Sequence, residues 1–313
     1  MRHRHPFIGL FLACFLIEGA MSNTCPPTPL VDAATLQKMA RQQHVDKGLL
    51  WELQKGGQRF YLYGTVHVAR LEWDFPGPSV QRALKPAAKV AVELDITNPT
   101  VVQQLSHAMS VAGREPTPDE ARLEDRIRKQ FRQACLNEAA FSTASLSSRL
   151  TSLALLSARD EGLYPDYAID AALVGFARAQ GKQIVELESA AAQATAMEGD
   201  IESLQRDLER LESGETRRMI VKLAHAWARS DRHEIEDYFS WCNCQGSPKE
   251  RSAMDHLIKD RNATLAEQLA RFYESADGGF AAIGILHMVG TDTVLDALSR
   301  AGYTVQLISM NNQ

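Results

Sequence analysis

Two histidines of the 313-residue chain lie in matching short motifs near its two ends. Gly64-Thr65-Val66-His67 and Gly284-Ile285-Leu286-His287 each follow an apolar run. Glycine permits a tight turn and a close approach of the backbone to a ligand, and histidine ligates metals or transfers protons near neutral pH. One such motif is weak evidence, because a lone histidine is more often a hydrogen-bonded loop or core residue. Two motifs in matching positions indicate a functional site.

Glu93 is the third candidate, because it directly follows the apolar run Val90-Ala91-Val92. A carboxylate at the end of a buried strand is costly unless it is paired, and binding a metal ion or acting as a general base would explain its presence. Two imidazoles and one carboxylate form an ordinary ligand set for a divalent metal that keeps an open position. The sequence therefore predicts a metal site of His67, His287 and Glu93, with an exposed strand-end glutamate as the alternative.

Both motifs lie within a repeated unit of strand, Gly-x-x-His, helix and strand. The first predicted unit comprises strand 60–63, helix 78–84 and strand 90–94. The second comprises strand 280–283, helix 293–300 and strand 303–308. Ligands of open α/β sheets bind beyond the carboxyl ends of the strands. If the two units share one sheet, both histidines are expected at the same edge.

The segment between the two units has mostly helical periodicity. A strand predicted at 183–187 interrupts it, and two long charged helices are expected near 190–211 and 214–229. Ser247-Pro248 provides an N-cap and a first-turn proline for a helix that reaches residue 273. We therefore expect a large helical region that covers one side of the sheet.

The predicted fold class is α/β, with a mixed sheet built from the two units. A further strand at 49–53 forms a hairpin with the first unit through Lys55-Gly56-Gly57-Gln58. The predicted organisation is a single domain over residues 23–313, with the helical insertion at about 97–275.

Composition and motifs exclude several classes of protein. The chain is 45% hydrophobic and 23% charged, which is typical of globular proteins and argues against long disorder, collagen or a coiled coil. Its net charge is −5 and it has no Lys/Arg-rich stripe, so nucleic acid is not an expected partner. It has neither a Gly-rich phosphate loop nor a Gly-x-Ser-x-Gly elbow, so a nucleotide enzyme or a serine hydrolase is a poor fit.

The N-terminus has the features of a secretory signal peptide. A basic start with Arg2 and Arg4 precedes an apolar run at 7–16, and Ala20-Met21-Ser22 offers small residues for cleavage. We expect residues 1–22 to be removed and the mature chain to be periplasmic or extracellular; an uncut membrane anchor is the alternative. Because no other segment approaches about 20 apolar residues, no stable membrane span is expected in the mature chain.

Four cysteines would remain after this cleavage: Cys25, Cys135, Cys242 and Cys244. In an oxidising compartment they are expected to form disulfides, although the pairing cannot be derived from sequence. The close spacing of Cys242 and Cys244 disfavours a bond between them and predicts that each pairs elsewhere. A Cys-x-Cys metal site is the less favoured alternative, because no second close pair of ligands accompanies it.

The order of motifs along the chain resembles the TraB/GumN family from about residue 35 to 310. The matching segments are Gly64-Thr65-Val66-His67-Val68, Val90-Ala91-Val92-Glu93-Leu94, Asp170, Gly181-Lys182-Gln183-Ile184-Val185, Leu187-Glu188-Ser189 with Gln193, Arg261-Asn262, Gly284-Ile285-Leu286-His287-Met288-Val289-Gly290 and Ala301-Gly302-Tyr303-Thr304-Val305. The family is similar to the Tiki proteins, which are extracellular metal-dependent proteases. It is more distantly similar to erythromycin esterase-like proteins and to haem-binding ChaN-like proteins.

This resemblance implies a role for each candidate residue. His67, His287 and Glu93 would belong to a metal-dependent hydrolase site, and Gly64 and Gly284 would shape its loops. Further candidates, placed in the site or in the helices around it, are Asp170, Glu188, Gln193 and Arg261.

The leading hypothesis is an exported metal-dependent hydrolase that acts on a peptide or protein substrate. The two histidines would hold a divalent ion such as manganese, cobalt or zinc. Glu93 would complete the ligation or act as a base, and Arg261 would stabilise developing negative charge or bind a substrate carboxylate. The main alternative is a non-catalytic protein that binds haem or another exported ligand through the same histidines. In a third hypothesis the motifs are structural and the helical surface binds a partner protein.

Overall fold

The computed structural model describes residues 31–42, 44–111, 115–275 and 279–310. The predicted signal peptide, residues 1–22, and Cys25 lie outside these ranges. Within them, none of the helices combines the length and the apolar character that crossing a membrane requires.

The described strands form a six-stranded mixed sheet. They are β1 (Leu50–Lys55), β2 (Gln58–Thr65), β3 (Lys89–Val92), β4 (Gln183–Glu186), β5 (Gly279–Gly284) and β6 (Thr304–Leu307). Their order across the sheet is β4-β3-β5-β2-β1-β6. Strands β4, β3, β5 and β2 run parallel, whereas β1 is antiparallel to both of its neighbours. The predicted α/β class and mixed sheet are confirmed, and each predicted strand is present.

Helices fill most of the chain between the strands. In chain order they are α1 (Ala33–Ala40), α2 (Pro78–Leu84), α3 (Pro99–Ala108), α4 (Pro118–Gln133), α5 (Leu146–Leu156), α6 (Ile169–Ala179), α7 (Ala190–Met197), α8 (Ile201–Glu212), α9 (Glu215–Ala228), α10 (Arg232–Glu236), α11 (Tyr238–Trp241), α12 (Pro248–Met254), α13 (Asp260–Glu274) and α14 (Val294–Arg300). Short 3-10 helices occur at Leu71–Trp73, Glu138–Phe141, Arg159–Glu161, Pro165–Tyr167 and Ile285–Met288. Helices α3 to α13, with β4 among them, form the predicted helical insertion.

The two repeated units have the predicted connections. Helix α2 joins β2 to β3 and α14 joins β5 to β6. Strand β5 inserts between β2 and β3, so the last strand of one unit lies beside the first strand of the other. This interleaving places the carboxyl ends of β2, β5 and β3 side by side.

The apolar strands at the centre of the sheet are covered on both faces, as expected for parallel strands. Val90, Ala91 and Val92 of β3 and the four residues from Phe280 to Ile283 of β5 are all buried. A second apolar cluster joins α4, α5 and α8 through residues such as Ile127, Phe131 and Leu208. The helical insertion therefore has a core of its own beside that of the sheet.

The helix that bears Arg261 begins as the sequence predicts. Ser247 and Glu250 form a reciprocal capping box, with Pro248 in the first turn. A π-helical turn at Asp255–Lys259 joins α12 to α13, so the helical segment extends to Glu274. A π turn admits one extra residue and is frequent at functional sites.

The prediction of a single long helix near 190–211 is wrong, because the helix is interrupted between α7 and α8. Glu198 is extended, with ψ of 138°, and its carboxylate accepts hydrogen bonds from the hydroxyls of Ser145 (3.2 Å) and Ser147 (3.3 Å). Asp200 then caps α8 by accepting the backbone N–H of Ser203 (2.8 Å). These contacts with the distant α5 region and the new cap favour two helices over one.

The expectation that Cys242 and Cys244 pair elsewhere is also wrong, because they form a disulfide with each other. Asn243 between them has φ of 53°, in the left-handed region that asparagine tolerates. This turn leaves the two Cα atoms 5.1 Å apart, within the usual range for a disulfide. Cys135 is disulfide-bonded as well.

Candidate active site

Three neighbouring parallel strands deliver the candidate residues to one edge of the sheet. Glu93 directly follows β3, Gly284 ends β5 and His67 lies two residues beyond the end of β2. Thr65 pairs with Gly284 in the sheet. His287 follows within the 3-10 helix Ile285–Met288. The predicted convergence of both motifs and Glu93 is thus present in the fold.

Gly284 is the point around which the three groups meet. A methyl group placed on its Cα would lie 3.2 Å from Glu93 Oε1, 3.7 Å from His287 Cδ2 and 3.9 Å from His67 Nε2. The N–H of Gly284 also donates to Glu93 Oε1 at 2.5 Å. The missing side chain therefore leaves the space that the three groups share.

Gly64, the corresponding glycine of the first motif, has a different task. A methyl group there would overlap Cδ1 of Ile285, and the Gly64 carbonyl accepts a hydrogen bond from Trp227 Nε1 at 2.7 Å. Gly64 lets the two motifs pack against each other. The structure therefore places Gly64 in packing contacts, and Gly284 among the candidate ligands.

His287 is buried, with 4% of its surface exposed. Its Nδ1 lies 2.7 Å from Asn262 Oδ1, and its Nε2 lies 3.8 Å from Glu93 Oε2. Burial lowers the pKa of His287 although Glu93 opposes this effect. The ring is therefore held with Nε2 facing the site.

His67 lies at the mouth of the site, with 54% of its side chain exposed. Its Nδ1 is 3.3 Å from Asp170 Oδ2, at the first turn of α6. Desolvation lowers the pKa of His67, but the carboxylates of Asp170 and Glu93 outweigh it and raise the pKa to about 9. His67 is thus a cation at neutral pH in the metal-free protein.

Arg261 connects the two buried carboxylates of the site. Its Nη2 donates to Glu93 Oε2 at 2.7 Å and also to Glu188 Oε2, while its Nε donates to Glu188 Oε1 at 2.9 Å. Its Nη1 donates to the Leu257 carbonyl, in the π turn, at 3.0 Å. Gln193 Nε2 lies 3.5 Å from Glu93 Oε2 and 3.4 Å from Glu188 Oε2. Arg261 of α13 therefore bridges two carboxylates that follow neighbouring strands, Glu93 after β3 and Glu188 after β4.

Glu93 remains ionised in this environment. Burial alone would raise its pKa, but His287, Arg261 and His67 hold it at about 2, helped by the Gly284 N–H. The pKa of Arg261 is raised by its bonds to Glu188 and Glu93, which outweigh its desolvation. The site is thus a compact network of opposite charges.

A sequence model of the TraB/PrgY/gumN family matches residues 49–307, most of the chain. This chain belongs to the TraB/PrgY/gumN family. No curated protein and no solved structure matches it. The matched range includes every candidate site residue, from Gly64 to His287.

In this TraB-family site, the two imidazoles are oriented as ligands of the expected metal would be, whereas the oxygens of the carboxylate are already engaged in hydrogen bonds. Each histidine turns Nδ1 to an oxygen and leaves Nε2 facing the space at Gly284, as metal-ligating histidines do. Both oxygens of Glu93, however, already accept hydrogen bonds. Across the described ranges, no three His, Cys, Asp or Glu side chains are grouped as a metal site would require. Ligation by Glu93 would need Arg261 to share or release Oε2.

Two contributors to this TraB-family site were not predicted from sequence. Asn262 stood beside Arg261 in a motif but received no role, although it contacts His287 directly. Gly284 was expected to shape a loop, and the sequence did not predict that its backbone N–H donates a hydrogen bond to Glu93. Asn262 could have been proposed as a site residue because it is adjacent to Arg261 on the same helix.

Proposed function

We propose that this protein is a metal-dependent hydrolase whose divalent ion is held by His67 Nε2, His287 Nε2 and Glu93. The supporting observation is the common orientation of the two imidazoles. Nδ1 of His67 faces Asp170 and Nδ1 of His287 faces Asn262, so both Nε2 atoms are left for the space beside Gly284. Such outer contacts fix ligand orientation in metal sites.

The other residues of the site would position Glu93 and leave one side open to substrate. A divalent ion, when bound, supplies a Lewis acid that polarises a carbonyl group and makes water more acidic. Arg261 fixes Glu93 and balances its charge, and Glu188 in turn anchors Arg261. His67 is the exposed member, so substrate would approach from its side, while His287 stays buried behind it.

A peptide or protein substrate and an exported location are parts of the same proposal. The peptide substrate follows from the resemblance to Tiki proteases, and export follows from the N-terminal sequence pattern. The site itself supports hydrolysis through its combination of imidazoles, an ionised carboxylate and a fixed guanidinium.

Metal content decides the proposal most directly. The purified protein would be reconstituted with manganese, cobalt, zinc or iron, beside His67→Ala/His287→Ala and a control in which exposed His233 is changed to alanine. We expect about one ion per chain in the wild type and control, and none in the folded double variant. A peptide-library screen with the same three proteins would then test for hydrolysis that follows the metal.

A wild-type protein that binds no ion would overturn the proposal. A strong visible absorption band in that protein would instead support haem binding through the same histidines. Activity that survives complete removal of metal would support a second candidate, an acid–base site without metal. That candidate is favoured by the Asp170–His67 pair, which keeps a proton on a half-exposed imidazole.

A further inference from the structure

Asn262 is almost fully buried beside His287, and both ends of its side chain are bonded. It is 2% exposed and lies on α13, directly after Arg261. Its Oδ1 is 2.7 Å from His287 Nδ1, and its Nδ2 donates to the backbone carbonyl of Asp292 at 2.9 Å. Because a carbonyl oxygen accepts but cannot donate, the contact with Asp292 requires the amide nitrogen. The amide oxygen of Asn262 must therefore face the histidine.

The Asp292 carbonyl is itself held in place. Asp292 has φ of 55°, at the turn that leads into α14. The N–H of the same peptide unit belongs to Thr293 and donates to Asp296 Oδ2 at 2.9 Å, as part of a capping box. Both the C=O and the N–H of this peptide unit are thus hydrogen-bonded, so the position of the carbonyl that accepts from Asn262 is fixed.

The orientation of Asn262 selects one tautomer of His287. Oδ1 of Asn262 can only accept a hydrogen bond, so Nδ1 of His287 must carry the proton. In the neutral imidazole, Nε2 then has a lone pair. This is the nitrogen that faces Glu93 Oε2 at 3.8 Å.

Glu93 favours the opposite tautomer. A proton on His287 Nε2 would allow a charge-assisted hydrogen bond to the Glu93 carboxylate after a shift of about 1 Å. That tautomer would direct an N–H, not a lone pair, into the space beside Gly284. The bond from Nδ1 to Asn262 is the contact that opposes this outcome.

We propose that Asn262 is a positioning residue that holds His287 in the Nδ1–H tautomer, with the Nε2 lone pair directed into the site. The consequence for metal binding rests on the proposed function, whereas the tautomer does not. Asp170 bears the same relation to His67, since it also accepts at Nδ1. The two motif histidines therefore use different acceptors, a carboxylate and an amide, for the same orientation.

The tautomer is measured on protein labelled with ¹⁵N-histidine, in ¹H–¹⁵N spectra that distinguish Nδ1–H from Nε2–H. We expect Nδ1–H for His287 in the wild type and a shift toward Nε2–H in Asn262→Leu and Asn262→Ala. Ala266→Gly, one turn further along α13, disturbs the same helix without removing a hydrogen-bond partner of His287, because alanine has no polar side-chain atom, and should keep the wild-type tautomer. A wild-type His287 with its proton on Nε2 overturns the proposal, even if the Asn262 variants do not fold. So does a folded Asn262 variant that retains Nδ1–H.

Zinc affinity of the same proteins tests the consequence for the site. Loss of a residue that orients a metal ligand typically weakens binding by about 10–100-fold, which we expect for both Asn262 variants and not for Ala266→Gly. A variant whose tautomer changes while its zinc affinity equals that of the wild type would overturn the link to metal binding. If the wild type binds no ion at all, the proposed function fails, and the spectra still decide the role of Asn262.

Discussion

The backbone N–H of Gly284 donates a 2.5 Å hydrogen bond to Glu93 Oε1, although 191 positions separate the two residues in the chain. The bond crosses from the end of β5 to the end of its parallel neighbour β3. It holds the second Gly-x-x-His motif to the candidate carboxylate, while Thr65 of β2 pairs with Gly284 on the other side. The central position of β5 is therefore what brings the separate ends of the chain to one site.

Gly284→Ala should damage the site more than the fold. Gly284 has φ of −53° and ψ of 131°, which alanine adopts without strain. The added methyl would lie 3.2 Å from Glu93 Oε1, in the space shared with both histidines. We expect metal affinity to fall by about tenfold or more, with a loss of unfolding free energy of about 1–3 kcal/mol. Metal titration and urea unfolding measure the two effects, and unchanged affinity would contradict this view of the site.

Gly64→Ala should damage packing through one identifiable contact. The methyl would overlap Ile285 Cδ1, and such overpacking costs about 1–3 kcal/mol. Ile285→Val removes that atom, so the double variant Gly64→Ala/Ile285→Val should recover much of the loss. A double-mutant cycle by urea unfolding measures the coupling. Additive effects of the two changes would show that the strain lies elsewhere.

The sequence was sufficient for features that depend on local pattern. The apolar run before Glu93 identified a buried strand. The two Gly-x-x-His motifs each followed a predicted strand, so they were expected to meet at one edge if the two units shared a sheet. The capping box at Ser247 likewise needs only neighbouring residues. These elements are set by periodicity and short-range hydrogen bonds, both of which are visible in one dimension.

Features that depend on distant contacts were missed. The break after α7 requires Glu198 to meet Ser145 and Ser147. The Cys242–Cys244 disulfide requires a left-handed residue between the cysteines, which spacing alone does not show. The role of Asn262 depends on a carbonyl 30 positions away. In each case a partner supplied by tertiary packing decides the outcome.

Arg261→Met should destabilise the protein strongly at neutral pH. The side chains of Glu93 and Glu188 are 10% and 4% exposed, and Arg261 is a cation bonded to both. Removing one partner of a buried ion pair costs about 3–5 kcal/mol. Arg261 is one of the groups that lower the pKa of Glu93 against the effect of burial, so in the variant this pKa should rise above its wild-type value, and protonation of Glu93 should relieve part of the loss as the pH falls.

The companion variant Arg261→Met/Glu188→Gln removes one of the two uncompensated charges. It should therefore be more stable than Arg261→Met at neutral pH. Urea unfolding of both variants at several pH values tests this. A loss that is independent of pH and unaffected by Glu188→Gln would assign Arg261 to packing instead of charge balance.

Replacing Cys242 and Cys244 by serine should cost little stability. The disulfide joins residues only two positions apart. The stabilisation that a cross-link provides by lowering the entropy of the unfolded chain falls as the loop shortens, to about 1.5 kcal/mol for a loop this small. Unfolding of the double serine variant without reductant measures the difference from the wild type. A loss of more than about 4 kcal/mol would show that the buried sulfurs also stabilise the junction of α11 and α12 by packing.

Metal binding should strengthen with pH until His67 has lost its proton. The carboxylates of Asp170 and Glu93 overcome desolvation and raise the pKa of His67 to about 9 in the metal-free protein, so below that pH an ion must displace a proton from Nε2. Glu93, with its pKa near 2, is ionised throughout, and the lowered pKa of His287 leaves that ring neutral. Affinity should therefore rise about tenfold per pH unit between pH 7 and 9 and then level off.

Titration with chelator-buffered zinc at several pH values measures this dependence. Asp170→Asn removes the main charge that raises the pKa of His67, so it should move the plateau to lower pH. An affinity that does not change over this range would contradict either the binding of the ion by His67 or the raised pKa of its ring.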